Sequence, residues 1–299
     1  MQYGANTFIW ASPFATAEHL PLLEKVRSMG FELLEIAVEA PELVDVTALK
    51  AGLEAAGLAA IVCGAFGPER NLSSADAVVR QNAVDYLQWC IDCAAALGAP
   101  PARWPLVTGP MYSAVGKPRL ATEAERRLEW QRAVDGLREM SAYAAERGVR
   151  LAFEPLNRFE TDMVNVVSQG LALIEAVDSP HLGLHLDTFH MHLEEKDSGA
   201  AIREAGQRLF HFHACENDRG VPGSGQVRWQ GVAAALKEVG YDGAVVIESF
   251  TPQVASIARA VCIWREIAPS QDAIAQDGLA FLRALLDGEA RDETRKKKE

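Results

Sequence analysis

The sequence predicts a single-domain α/β protein of the (β/α)8 TIM-barrel class. Three observations carry that expectation: a helix–glycine–apolar-run unit that recurs along the chain, eight such apolar runs, and a polar residue at the end of each of the last four. The glycines at 30, 57, 98, 148 and 240 each stand between a helical stretch and an apolar run. Glycine just past a helix takes the left-handed cap conformation without a Cβ clash. Short, continuous apolar runs after such caps are the pattern of strands buried on both faces. Strands alternating with helices give right-handed βαβ units and a parallel sheet.

Taken in order, strands are expected at about 3–9, 33–38, 58–65, 104–109, 149–155, 182–187, 209–214 and 244–249. Helices are expected between them, for example at Leu20–Met29 and Ala75–Leu97. Thr122-Glu123-Ala124-Glu125 reads as a capping box opening a helix that runs to Glu146. A further helix, about 271–286, follows the last strand. A doubly wound sheet would normally carry a glycine-rich phosphate loop after its first strand, but Trp10-Ala11-Ser12-Pro13-Phe14 stands there. The catalytic barrel is therefore assigned to residues 1–286, and 287–299 to a charged, disordered tail ending Lys296-Lys297-Lys298-Glu299.

Composition narrows the partners. The 299 residues are 49% apolar and 23% charged, with a net charge of −12. That balance repels phosphate backbones and argues against nucleic acid as a partner. No run approaches the ~20 apolar residues of a membrane span. Ala15-Thr16-Ala17 resembles a signal-peptidase site, but no Lys or Arg precedes Lys25, so it is read as ordinary sequence. Five scattered cysteines point to a reduced, cytoplasmic protein. Cys90 and Cys93 have CxxC spacing inside a helical stretch, and two packed thiols are the plainer reading than a zinc or redox pair.

In a barrel, chemistry sits at the C-terminal ends of the strands. Strands five to eight end in Glu154-Pro155, Asp187-Thr188, His213-Ala214 and Glu248-Ser249. The four polar residues are 33, 26 and 35 positions apart, each about one βα unit. Alternation turns Phe153, Leu186, Phe212 and Ile247 toward the helices, so Glu154, Asp187, His213 and Glu248 converge over one side of the mouth. Any one of them alone reads equally well as half of a rim ion pair. Together, three carboxylates and an imidazole in a partly desolvated mouth call for a divalent cation. The oxygen-rich set suits Mn²⁺ or Mg²⁺, with Co²⁺ as a third choice.

These residues carry a resemblance. Glu154-Pro155-Leu156-Asn157-Arg158-Phe159-Glu160, Leu186-Asp187-Thr188-Phe189-His190-Met191, Phe212-His213 and Val246-Ile247-Glu248 resemble the xylose-isomerase-like sugar epimerase family, most closely its D-tagatose 3-epimerase and D-psicose (allulose) 3-epimerase type. The likeness spans about residues 1–285. It implies a (β/α)8 barrel, one divalent cation, with Mn²⁺ first and Co²⁺ or Mg²⁺ as alternatives, and epimerisation of free ketohexoses or ketopentoses at C3. By motif position, Glu154, Asp187, His213 and Glu248 resemble the metal ligands, and Glu154 and Glu248 the catalytic acid/base pair. Glu160, His190 and Arg219 match positions that bind the O1–O3 end of the sugar. A homodimer or homotetramer is also implied.

The chemistry agrees. A ketose C3 proton lies beside the C2 carbonyl, so a cation on O2 and O3 stabilises the enediolate formed on deprotonation. Inversion then needs one base on each face, and Glu154 and Glu248 come from opposite ends of the ligand set. His185 and His211 read as buried, hydrogen-bonded neighbours; His192 as exposed or packed; Glu216 as a support for the site or a surface carboxylate; Arg219 alternatively as a rim partner of Asp218. The glycine-rich 220–225 segment lacks the ending of a phosphate loop. Phe8, Trp10, Phe66 and Tyr112 are candidate walls for a sugar, with core packing as the plainer reading. Ala114 and Val115 stand where some family members place a tryptophan beyond the serine, so substrate choice at C4–C6 does not transfer. Three alternatives stay open. One is an aldose–ketose or hydroxypyruvate-type isomerase on the same barrel. Another is a zinc endonuclease, disfavoured by only seven histidines and the negative charge. The third is a non-catalytic sugar-binding barrel.

Overall fold

A computed structural model describes residues 1–98, 103–113, 115–116 and 119–296. In chain order it contains β1 (Gln2–Asn6), α1 (Thr16–His19), α2 (Pro21–Ser28), β2 (Leu33–Val38), α3 (Val46–Ala56), β3 (Ala59–Gly64), α4 (Ala77–Leu97), β4 (Leu106–Gly109), α5 (Glu123–Glu146) and β5 (Arg150–Phe153). It continues with α6 (Val167–Val177), β6 (Leu182–Asp187), α7 (Thr188–Glu194), α8 (Ser198–Ala205), β7 (Leu209–His213), α9 (Trp229–Glu238), β8 (Ala244–Ile247), α10 (Ala255–Ala260) and α11 (Gln271–Lys296). The strands close in sequence order into one parallel barrel. β8 returns to β1 with Gln2 opposite Ala244 and Ala5 opposite Ile247. The expected (β/α)8 barrel is therefore present as a single domain.

Strand parity sorts the side chains into two cores. Ile36, Val62, Phe153, Leu186, Phe212 and Ile247 pack outward in the layer between strands and helices. Leu33, Ile61, Leu106, Ala152, Ala244 and Val246 form a separate apolar plug, which fills the interior as a barrel of this size requires. Two residues further along their strands, the inward positions turn polar: Glu35, Thr108 and His211 are wholly buried, as is His185 on β6. This polar layer lies between the plug and the mouth. The β6–β7 register slips between Leu184 and His185, a local irregularity of the kind found next to functional sites.

The local signals explain the elements. Thr122 Oγ1 accepts from Glu125 N while Glu125 Oε2 accepts from Thr122 N, so the expected capping box opens α5. Gly57 and Gly148 adopt the left-handed conformation, φ 65° and 66°, ahead of their strands. Cys90 and Cys93 are free thiols buried in α4, and burial pushes both up to about 12, as two packed thiols should behave.

Strands three, five, seven and eight are one or two residues shorter at an end than expected, at Ala59–Gly64, Arg150–Phe153, Leu209–His213 and Ala244–Ile247, and three further boundaries differ. The first strand stops at Asn6 rather than residue 9, because Asn6 Oδ1 accepts from Phe8 N at 2.9 Å and starts a 3-10 turn. The fourth begins at Leu106, after Pro105, which has no N–H for the ladder. At the other end, α11 continues to Lys296 instead of ending at 286. Tyr3 Oη donates to Asp287 Oδ1 at 2.8 Å, so the chain at 287 is tied to β1, not frayed. Lys297, Lys298 and Glu299 lie outside the described residues, as does the start of the apolar run at 102. Among the described residues no helix is long and apolar enough to cross a membrane.

Candidate active site at the barrel mouth

The ends of β5 to β8 bring their four polar residues together. Asp187 and His213 are the last residues of β6 and β7; Glu154 and Glu248 immediately follow β5 and β8. All four are buried. A cavity of about 320 Å³ opens above them, lined by Glu154, Glu248, Glu160, His190 and Arg219. Phe8, Phe66, Phe250 and Ile257 form apolar walls. Asp187 and His213 do not line the cavity, and at 1% and 0% exposure they sit beneath it.

At the mouth, donor atoms converge in two overlapping groups, and His185, His211 and His213 form a third beneath them. Ligand atoms of Asp187, His213, Cys215 and Glu248 lie within 4.8 Å of one another, as do those of Glu154, Asp187 and His190, so Asp187 joins the two. Two buried acceptors in these groups have no hydrogen-bond partner: Glu154 Oε1 and His213 Nδ1. Orphaned buried polar atoms are costly in a native interior, and a bound cation would give them partners. Cys215 Sγ is a soft donor that already accepts from Arg219 Nη1 at 3.2 Å, so it suits a hard cation poorly. His190 Nδ1 accepts from Asn157 N at 3.0 Å, so its proton sits on Nε2, facing Glu154 Oε1 at 3.6 Å. Glu154, Asp187, His213 and Glu248 remain, an oxygen-rich set that fits a divalent cation.

Charge is unevenly distributed across this set. Burial, then Asp187 and Glu248, raises the Glu154 carboxyl well above its ordinary range. Burial also acts to raise Glu248, but His213 and Arg219 hold it low. Burial opposes charge on His213, yet Glu35 and Glu248 push its pKa well above 6.5.

Arg219 is held firmly. Its Nη1 donates to Asp187 Oδ2 at 2.6 Å and to Glu248 Oε2 at 2.9 Å. Phe189 and Phe250 stack on the guanidinium at 3.9 and 5.2 Å. Its backbone is left-handed, φ 64°, with its carbonyl accepting from Ser249 Oγ at 2.7 Å. A non-glycine residue kept in that region is paid for by its surroundings and is typical of functional sites. The rim pairing with Asp218 does not form; Asp218 pairs with Arg265 instead.

The remaining expectations sort as follows. Glu160 lines the cavity and accepts from Asn157 Nδ2 at 2.8 Å. His192 is exposed in α7. Phe8 and Phe66 are cavity walls, whereas Trp10 donates to Asp272 and Tyr112 is fully buried beneath Glu154, its hydroxyl 2.9 Å from the Glu154 carbonyl. Ala114 lies outside the described residues, and Val115 lines the cavity. Glu216 is no surface carboxylate. It is wholly buried and accepts from the backbone N–H groups of Asn217, Gly223 and Val227 and from Trp229 Nε1. The segment from Asn217 to Trp229, with Gly223 of the glycine-rich loop, therefore wraps an anion supplied by the protein itself. His211 is hydrogen-bonded as expected, but neither ring nitrogen of the buried His185 has a hydrogen-bond partner.

One functional candidate was missed. Glu35, mid-strand in β2, is wholly buried; its Oε2 lies 2.9 Å from His211 Nε2 and 3.0 Å from His213 Nε2, and its Oε1 accepts from Thr108 Oγ1 at 2.9 Å. The available signal was a carboxylate on the inward face of an otherwise apolar strand.

Comparison with known proteins decides the lineage. Residues 23–285 match the family described as Xylose isomerase-like TIM barrel. The chain belongs to that family. A probable ketose 3-epimerase from Synechocystis sp. is 35% identical over 283 residues, 95% of this chain and 96% of that protein. The D-psicose 3-epimerase of Ruminiclostridium cellulolyticum is 32% identical over 301 residues, 96% of this chain and 98% of that one. A solved L-ribulose 3-epimerase superposes with a TM-score of 0.90 at 30% identity, covering 98% of this chain and 97% of its own. The resemblance read from the motifs thus holds: within the family the chain groups with the carbohydrate epimerases, a class of isomerases.

Proposed function

We propose that the chain is a metal-dependent ketose 3-epimerase that inverts C3 of free ketohexoses or ketopentoses. One observation carries the reading: of the four strand-end groups, only Glu154 and Glu248 line the cavity, and they come from the two ends of the β5–β8 arc. They are the carboxylates that can reach a bound carbon from different sides. A divalent cation held by Glu154, Asp187, His213 and Glu248, Mn²⁺ in the first instance with Co²⁺ or Mg²⁺ as alternatives, would supply polarisation of the C2 carbonyl and stabilise the charge that develops on deprotonation. One glutamate removes the C3 proton, and the other protonates the planar enediolate on the opposite face. Glu160, His190 and Arg219 orient the O1–O3 end by hydrogen bonds, and the surrounding rings exclude water.

The substrate is read as unphosphorylated because, in the loop that most resembles a phosphate cradle, the N–H groups of Gly220, Gly223 and Ser224 are already given to Asp218, Glu216 and Val221. Its free cysteines support a cytoplasmic location. A homodimer or homotetramer is expected, to be checked by light scattering. Incubation of the Mn²⁺-loaded protein with a panel of ketohexoses and ketopentoses should yield C3 epimers. Formation of aldoses alone would instead indicate the isomerase reading.

A further inference from the structure

We infer that Glu35 is a positioning residue for the metal centre, fixing which nitrogen of His213 faces the cation. This rests on the reading of His213 as a ligand and deepens it. An imidazole has two nitrogens, and the hydrogen bond made by one decides what the other can do. His213 Nε2 lies 3.0 Å from Glu35 Oε2, and a carboxylate can only accept there, so Nε2 carries the proton. In the neutral ring that a cation requires, the lone pair is then on Nδ1, which has no hydrogen-bond partner and lies 3.5 Å from Glu248 Oε2 on the floor of the site. A carboxylate behind a ligating imidazole both orients the ring and strengthens it as a donor.

The carboxylate itself cannot swing away. His211 Nε2 is held by the same Oε2 at 2.9 Å, and Thr108 Oγ1 donates to Oε1 at 2.9 Å, so β4 and β7 clamp it from both ends. Glu35, His211 and His213 are all 0% exposed, so water does not compete for these bonds. Glu35 stands in the middle of β2 between Leu33, Leu34, Ile36 and Ala37, all apolar and buried, so the strand's own packing gives no reason for a charge there.

The test is Co²⁺ affinity of metal-free protein, measured by competition with a chelating dye, together with the visible spectrum of the bound Co²⁺. Glu35→Leu, which removes the acceptor, should weaken binding about 100-fold and change the spectrum; Glu35→Gln, which keeps an acceptor oxygen but not the charge, should lose about tenfold. Thr108→Val removes a bond to the same carboxylate on the side away from His213 and should leave affinity within about threefold even if it lowers the melting temperature. If Glu35→Leu does not fold, Glu35→Gln against Thr108→Val carries the comparison. Wild-type affinity and spectrum in the Glu35 variants, with binding lost in His213→Gln, would overturn the inference while leaving the metal centre standing. Equal losses in the Thr108 and Glu35 variants would also overturn it, because that pattern reports general loosening. Wild-type affinity in His213→Gln would instead remove the ligand reading on which the inference depends.

Discussion

In the β5–β8 half of the barrel, each strand delivers a side chain able to bind a cation or carry a proton: Glu154, Asp187, His213 and Glu248. The β1–β4 half ends in Asn6, Val38, Gly64 and Gly109. Where the first half crowds charge, the second makes room. A Cβ on Gly109 would stand 2.5 Å from the Gly64 carbonyl oxygen, and its φ of 123° is open only to glycine, so this close strand approach admits no side chain. Gly64 lines the cavity. The second half still acts on the first, but from beneath: Asn6 Nδ2 reaches Glu248 Oε1 at 3.4 Å, and Glu35, itself held by Thr108, reaches His213. The contrast separates residues that meet a substrate from residues that hold those residues still.

The largest expected effect tests the charged half as a whole. Chelation should reduce turnover to background, and Mn²⁺ should restore it. Glu154 and His213 both have raised pKa values in the metal-free fold, so they hold protons that a cation must displace. Affinity should therefore rise as pH rises, with protons released on binding; calorimetry in two buffers of different ionisation heat would show this. Affinity independent of pH would mean these groups are not ligands.

Next come the two bases. Glu154→Gln and Glu248→Gln should each lower kcat by on the order of 10² to 10⁴ with unchanged circular dichroism. A variant with near-wild-type kcat would show that its proton is carried elsewhere. The smallest effect belongs to the other half. Gly109→Ala should cost about 1–3 kcal/mol of stability in urea unfolding, through backbone strain and the contact with Gly64. A neutral substitution would show that the close approach relaxes easily.

Much of the charged half was legible in the chain, for a physical reason. Strand ends in a βα repeat recur at one-unit spacing, and period-two alternation assigns each residue to the mouth or to the helices, so Glu154, Asp187, His213 and Glu248 could be read from position alone. The supporting half was not. Glu35 lies mid-strand, and its partners are 73, 176 and 178 residues away; such pairings exist only once the barrel closes. Glu216 was left open between a support and a surface carboxylate for the same reason, because its donors, three backbone N–H groups of the following loop and Trp229 at the start of α9, assemble only in the folded chain. The end of the first strand was missed because the side chain of Asn6 competes with the ladder and starts a turn. The helix past Leu286 was cut short because its charged composition read as solvated tail.

The measurement closest to the central claim is the fate of the C3 proton. Wild-type, Mn²⁺-loaded protein is incubated with a ketose in D₂O and followed by NMR at low conversion. Two carboxylates acting on opposite faces predict a product epimer fully deuterated at C3 from the first turnovers, with the remaining ketose still carrying its proton. A product epimer that retains the original C3 proton would contradict the two-base assignment, and deuterium at C1 accompanied by an aldose would contradict epimerisation itself.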